Sequence, residues 1–95
     1  MPGKIEGRVI SITSAGNLVT DITAEQLRPA PRDESVTISC DEHQTLGIFT
    51  RDHQEPESTL LAILESGGTL VLEIVGDSAA AMLGIRVGQK VVIQW

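Results

Sequence analysis

Two histidines of the sequence stand among carboxylates, an arrangement that could bind a divalent metal ion. His43 follows two acidic residues, and His53 lies in a second acidic stretch. Imidazole nitrogens and carboxylate oxygens are both ligands of zinc. The sequence has no H-x-x-x-H or C-x-x-C spacing, however, and both stretches are typical of solvated loops. We therefore predict no metal site.

The single cysteine, Cys40, is the first residue to consider as a nucleophile. It ends a predicted strand, where a cysteine usually acts as a small buried apolar residue. Neither Cys40 nor any serine has a paired base at a recognisable spacing, and no G-x-S-x-G elbow is present. The glycines match neither a P-loop nor a dinucleotide-binding fingerprint. We predict that the chain is not an enzyme and has no catalytic residues.

The charge of the sequence excludes other classes of function. The net charge is -6, and residues 41–77 hold eight acids against one base, Arg51. Such a surface repels nucleic-acid phosphates and anionic lipids. No apolar run approaches the roughly 20 residues of a membrane span, and the N-terminus lacks the apolar core of a signal peptide. We predict no nucleic-acid or membrane binding and, because one cysteine cannot form an internal disulfide, a reducing, cytoplasmic location.

The elements that must position these residues are mostly strands. Apolar and polar residues alternate in several short segments that are separated by Gly, Asn and Pro. Thr23 and Gln26 have the spacing of a capping box, and Asp77 or Ser78 could cap a short helix that ends at Gly84. The pattern predicts one all-β domain over residues 1–95, a small antiparallel β-barrel with one or two short helical turns. The predicted strands cover residues 5–12, 18–20, 35–39, 46–50, 59–64, 69–75 and 89–94. Periodicity alone leaves residues 59–64 ambiguous between helix and strand, and the glycines at 67–68 favour a strand.

Two longer segments carry a family pattern. Residues 7–22 read GRVISITSAGNLVTDI, and residues 61–89 combine LAILESGGTLVLEI with SAAAMLGIRVGQ. Both resemble the C-terminal domain of the S-adenosylmethionine (SAM) hydroxide adenosyltransferase and fluorinase family. Residues 46–49 and 78–88 also resemble parts of a PDZ domain, but a PDZ peptide groove needs a long helix after them.

The family resemblance implies a position for SAM. In this family the β-domain follows a larger α/β domain, and SAM lies between them at the subunit interface of a homotrimer. By resemblance Asn17 hydrogen-bonds adenine, and Gly16 is the turn glycine before it. Ser66 faces the methionine end of SAM, and Ala79 is a backbone position near adenine. Each of these residues also has a plain structural interpretation, as a turn residue or as the first turn of a helix.

The sequence departs from the family pattern at the positions that touch the ligand. Thr13 replaces an Asp, Ala15 replaces a Phe, Arg51 stands where an aromatic residue is expected, and Glu65 replaces an Asn. These departures imply that the barrel is retained and that the adenine site is lost.

Two functions follow as hypotheses. The first is a non-catalytic, stand-alone β-barrel module without a cofactor, which binds a protein partner or forms a homo-oligomer such as a trimer. The alternative is an accessory that binds adenosine or SAM and completes an adenosyltransferase-like enzyme with a separate N-terminal subunit.

Overall fold

The computed structural model describes residues 3–50, 52–64 and 68–95. Within these residues the chain forms seven strands and one short helix. Their bounds are β1 Lys4–Ile12, β2 Leu18–Thr23, β3 Thr37–Cys40, β4 His43–Leu46, β5 Leu60–Leu64, β6 Thr69–Ile74, α1 Ala79–Leu83 and β7 Lys90–Gln94. None of the described helices is long and apolar enough to cross a membrane.

The strands form one antiparallel sheet that curls into a nearly closed barrel. Their order is β4-β3-β7-β1-β2-β6-β5, so β1 lies at the centre, with Gly7 opposite Val91 of β7. The two edges meet where the Thr45 hydroxyl donates to the Leu60 carbonyl at 2.8 Å. Beside it, Phe49 forms a parallel bridge to Ile63. The structure therefore confirms the predicted fold class.

The core of the barrel is aliphatic, as the shortage of aromatic residues requires. Inward positions alternate along β3 and β6, the period expected of strands with one buried face. Burying each Leu or Ile side chain contributes about 1.5–3 kcal/mol. The largest fully buried side chains are Leu18, Ile22, Leu27, Ile38, Leu61, Ile63, Leu70, Leu72, Ile93, Val9, Val36 and Val91.

Two predicted turns have the expected chemistry. The Thr23 amide donates to Gln26 Oε1 at 2.9 Å, and the Gln26 amide donates to Thr23 Oγ1 at 3.2 Å, which is a reciprocal capping box. Before α1, Ser78 Oγ accepts from the Ala81 amide at 3.2 Å, and Gly84 ends the helix with φ +67°. Ser78 is therefore the helix cap.

The predicted strand at residues 46–50 is wrong in its position. The strand β4 lies earlier, at His43–Leu46, and pairs with β3 across a tight turn at residues 41–42. Asp41 adopts φ +56° in that turn, which an acidic residue tolerates better than most. After Leu46 the chain turns at Gly47 and contacts β5 through Phe49. The histidine expected in a loop, His43, therefore lies in a strand.

Candidate binding groove

The turn between β1 and β2 is held by its own backbone and by one hydroxyl. The Thr13 amide donates to the Asn17 carbonyl at 3.0 Å, and the Gly16 amide donates to the Thr13 carbonyl at 2.9 Å. Thr13 Oγ1 accepts from the Asn17 amide at 3.1 Å. Thr13, which stands where the resemblance expects an Asp, therefore provides an oxygen acceptor for this turn. These bonds use the main chain of Asn17 and leave its side chain uninvolved.

Gly16 fixes this turn against the start of α1. A Cβ at Gly16 would lie 1.9 Å from Ser78 Oγ and 2.8 Å from Ser78 Cα, and Gly16 has φ +86°. The Gly16 carbonyl also accepts from the Ala80 amide at 2.9 Å, within the first turn of the helix. Close approach of the two backbones therefore requires glycine here.

An open groove lies between this turn and the connection from β6 to α1. Its volume is about 480 Å³, within the range of small-molecule sites. We call it the Asn17 groove. Ala15 supplies only a methyl group to the wall at the position where the resemblance expects a phenyl ring. The lining residues are Ala15, Asn17, His53, Glu73, Ile74, Val75, Gly76, Asp77 and Ser78.

The amide side chain of Asn17 is available to a ligand. Asn17 is half-buried, and within the described part of the chain its side-chain amide has no hydrogen-bond partner. An Asx turn would instead have used the side-chain oxygen locally. A primary amide carries both an acceptor and two donors, so this side chain can recognise a paired donor and acceptor.

His53 also lines the Asn17 groove, and one hydrogen bond orients its ring. The Glu55 amide donates to His53 Nδ1 at 3.2 Å. The His53 amide donates to the Thr50 carbonyl at 3.2 Å, which ties the residue to the segment that closes the barrel. The groove also carries acidic character from Glu73 and Asp77.

The structure separates the two histidines instead of joining them at a metal site. His43 Nε2 donates to the Leu83 carbonyl at 3.2 Å, at the C-terminal end of α1. The described residues contain no group of three or more His, Cys, Asp or Glu that could hold a metal ion.

Cys40 is buried in the core. Burial, with a smaller contribution from the charge of Asp41, raises the pKa of its thiol to about 11. A thiol with this pKa is almost entirely protonated near neutral pH, and the protonated form is a poor nucleophile.

The four residues selected by resemblance have different positions. Asn17 lines the groove, and Gly16 shapes the turn that carries it. The side chain of Ala79 is fully buried, so only its backbone could meet a ligand. Ser66 lies outside the described residues, as do Arg51 and Glu65.

Sequence reasoning did not select His53 as a groove residue. The sequence contains one indication of this role. The resemblance expects an aromatic ring at position 51, and His53 lies two residues after it. Ser78 was predicted as a helix cap, but its place in the groove wall depends on Gly16, which is distant in sequence.

The fold and the groove define a small antiparallel β-barrel domain with an open site beside its short helix. The sequence profile of the SAM hydroxide adenosyltransferase C-terminal domain matches residues 7–92. The chain therefore belongs to this family.

Solved structures agree in fold. The chain resembles an uncharacterized conserved protein from Thermotoga maritima with a TM-score of 0.75 and 19% identity, over 95% of this chain and 35% of that one. It also resembles a conserved hypothetical protein from Thermus thermophilus, with a TM-score of 0.67 and 24% identity, over 93% and 34%. This chain spans about a third of each of those proteins. No curated protein matches the sequence.

Proposed function

We propose that the chain is a non-catalytic barrel module that binds the adenine end of adenosine or SAM in the Asn17 groove. The observation that carries this proposal is the Asn17 side chain, half-buried at the groove and without a hydrogen bond to the described residues. In such a module the barrel supplies the adenine contacts, and a second chain or domain supplies the rest of the SAM site. This is the alternative of the two sequence hypotheses, and the Asn17 amide, unbonded to the described residues, supports it over the expected loss of the adenine site.

The chemistry of the groove supports adenine as the group that binds. An asparagine amide can pair with adenine through both of its functional groups, because the base presents an amino donor next to a ring-nitrogen acceptor. The volume of about 480 Å³ accommodates a nucleoside. An open groove also leaves one side of the ligand uncovered, which suits a site completed by another protein surface.

The described side chains support a non-catalytic role. Cys40 is buried with a raised pKa, and His43 is bonded to a helix carbonyl, so neither is placed to react with a ligand in the groove. In this proposal Asn17 binds the ligand, and Ser78 caps α1 and lines the groove wall. Neither side chain is paired, among the described residues, with a base that would activate it.

Binding of adenosine is testable by NMR on the labelled protein. Asn17 is the only asparagine of the sequence, so selective ¹⁵N-asparagine labelling gives one side-chain NH₂ pair to follow. We expect adenosine and SAM to shift this pair in a saturable way, and Asn17→Ala to weaken binding about tenfold, since it removes two hydrogen bonds. Gln44→Ala removes an exposed amide on β4 and is the matched control. Unchanged Asn17 signals at saturating adenosine would contradict the proposal.

A second candidate function, association with another copy of the chain, is favoured by an exposed apolar surface near α1. Ile10, Ile12, Met82 and Val87 are exposed, and we call them the α1 surface. Ile12 shares a groove with residues of α1. The Gly88 amide donates to the Val9 carbonyl at 2.7 Å, which brings the preceding turn beside β1. Exposed apolar patches of this kind often mark protein interfaces.

Sedimentation velocity tests this candidate. We expect a concentration-dependent oligomer, with a trimer as one outcome, and we expect Met82→Glu to dissociate it. Leu46→Glu is the control, because Leu46 is 51% exposed and Met82 62% exposed, on different parts of the surface. A monomer at all concentrations, or equal effects of the two variants, would argue against the α1 surface.

A further inference from the structure

We propose that His53 is a second ligand-reading side chain of the Asn17 groove, whose Nε2–H donates a hydrogen bond to a ring nitrogen of the bound base. This inference rests on the proposed function and names the residue that completes recognition in this particular chain. The family resemblance assigns no role to this position.

The protonation of the ring follows from one hydrogen bond. His53 Nδ1 accepts from the Glu55 amide at 3.2 Å, so Nδ1 carries no proton in this arrangement. A neutral imidazole has a single N–H, and it must therefore be on Nε2. Nε2 has no hydrogen-bond partner among the described residues, so its donor remains for a ligand.

The ring is oriented before any ligand arrives. The Glu55 amide holds the imidazole, and the His53 backbone is bonded to Thr50. The residue is half-buried and lines the same groove as Asn17. A side chain that is already oriented loses little conformational entropy when the ligand binds. Its hydrogen bond therefore contributes more to affinity than the same bond from a mobile side chain.

Together the two side chains define the hydrogen-bonding pattern of the ligand. Asn17 offers an acceptor and a donor, which suits the amino group and neighbouring ring nitrogen of adenine. His53 adds a donor, which requires another ring acceptor on the same base. In inosine a carbonyl replaces the amino group, so the base oxygen would face the amide oxygen of Asn17. Two acceptors that face each other repel. The groove should therefore prefer adenosine to inosine.

Two substitutions separate donation from ring packing. His53→Phe keeps an aromatic ring without a donor, whereas His53→Gln keeps a donor without a ring. We expect His53→Phe to weaken adenosine binding about tenfold, the effect of one lost hydrogen bond in a partly buried site. We expect His53→Gln to stay within about threefold of wild type. Thermal melts of both variants should match wild type, because among the described residues the ring is bonded only to a loop amide.

Ligand analogues identify the acceptor. 1-Deazaadenosine, 3-deazaadenosine and 7-deazaadenosine each replace one ring nitrogen by CH. We expect one of them to bind wild type about tenfold more weakly than adenosine and to bind His53→Phe no more weakly than adenosine does. Equal loss on both proteins for all three analogues would show that the imidazole bonds to none of these nitrogens.

An NMR readout of the ring itself needs no ligand. Long-range ¹H–¹⁵N spectra near neutral pH should show an unprotonated Nδ1 and a protonated Nε2 for His53, with His43→Gln used to assign the signals. A proton on Nδ1 would overturn the proposal, as would tight adenosine binding by His53→Phe. If wild type does not bind adenosine, the proposed function fails; if it binds with Asn17 but is insensitive to His53, only this inference fails.

Discussion

Two hairpin turns of the barrel differ in whether their polar side chains are available to a ligand. The turn between β3 and β4 is rich in groups that could do chemistry, yet Cys40 is buried and His43 is bonded to the Leu83 carbonyl. The turn between β1 and β2 holds small, unreactive residues, yet it leaves the Asn17 amide unbonded to the described residues beside a groove. The residue type alone is therefore a weaker indicator of a functional site than whether the side chain is buried or already bonded within the fold.

The largest effect should come from the residue that holds the β1–β2 turn against α1. Gly16→Ala places a Cβ within 2 to 3 Å of Ser78 at φ +86°, and we expect it to lower the free energy of unfolding by about 3 kcal/mol. Urea denaturation followed by the fluorescence of Trp95 measures this. Gly84→Ala is the control, because its φ is +67° but nothing lies within 4 Å of the new Cβ, so the cost should be about 1 kcal/mol. Equal losses would show that contact with Ser78 does not matter.

A smaller effect should appear at Cys40 as a dependence of stability on pH. The pKa of the folded thiol is about 11, above its ordinary value of 9.0. The folded protein therefore binds this proton more tightly, so the contribution is complete below pH 9 and is lost as the pH rises towards 11. We expect wild type to lose on the order of 2 kcal/mol more than Cys40→Ala across this range.

Urea titrations of the two proteins at pH 8, 9.5 and 11 test this. Parallel pH profiles would mean that the thiol titrates normally. Alkylation by iodoacetamide gives a second test, since at pH 8 about one folded thiol in a thousand is ionised. Reaction should therefore be slow until the protein unfolds.

His43 should show the next largest effect, on stability alone. His43→Ala removes the hydrogen bond to the Leu83 carbonyl at 3.2 Å, and we expect a loss of about 1 kcal/mol in the free energy of unfolding. Binding of adenosine should not change, because His43 does not line the Asn17 groove. A change in affinity without a loss of stability would reverse the roles assigned to the two histidines.

Asn17→Ala should have the smallest effect on stability and a clear effect on binding. Since the side chain is bonded to no described residue, we expect a change within about 0.5 kcal/mol in the free energy of unfolding. A loss of more than about 1 kcal/mol would mean that the amide supports the turn. The same urea titration decides this, and it sharpens the contrast with Gly16, its neighbour in sequence.

The parts of the fold that local patterns determine were predictable. Strands β1, β3, β6 and β7 follow from alternation and nearby turn residues, and α1 follows from Ser78 and Gly84. The periodicity of β5 is ambiguous between helix and strand, and it was predicted as a strand because glycines follow it in the sequence. β4 was misplaced because acidic residues at 41–42 give no strong turn signal, and because pairing with β3 overrides local preference there.

The groove was predictable only in part. The family resemblance selects Asn17, and the glycine before it explains how the turn reaches α1. His53 was not selected because its position depends on barrel closure, in which residues 49–50 meet β5 before the chain arrives at the groove. Such contacts between distant segments leave no local pattern in one sequence.

Closure of the barrel has a consequence for local unfolding. The edges β4 and β5 are joined by the Thr45 hydroxyl and by Phe49, whose amide donates to the Ala62 carbonyl at 2.8 Å and whose carbonyl accepts from the Leu64 amide at 2.9 Å. Few bonds between described residues hold this seam, so its amide hydrogens should exchange faster than those between β1 and β7. His53 is bonded to Thr50, next to the seam. A ligand bridging Asn17 and His53 would therefore slow exchange at Phe49 and Leu64, and hydrogen exchange at the neighbouring seam would report occupancy of the groove.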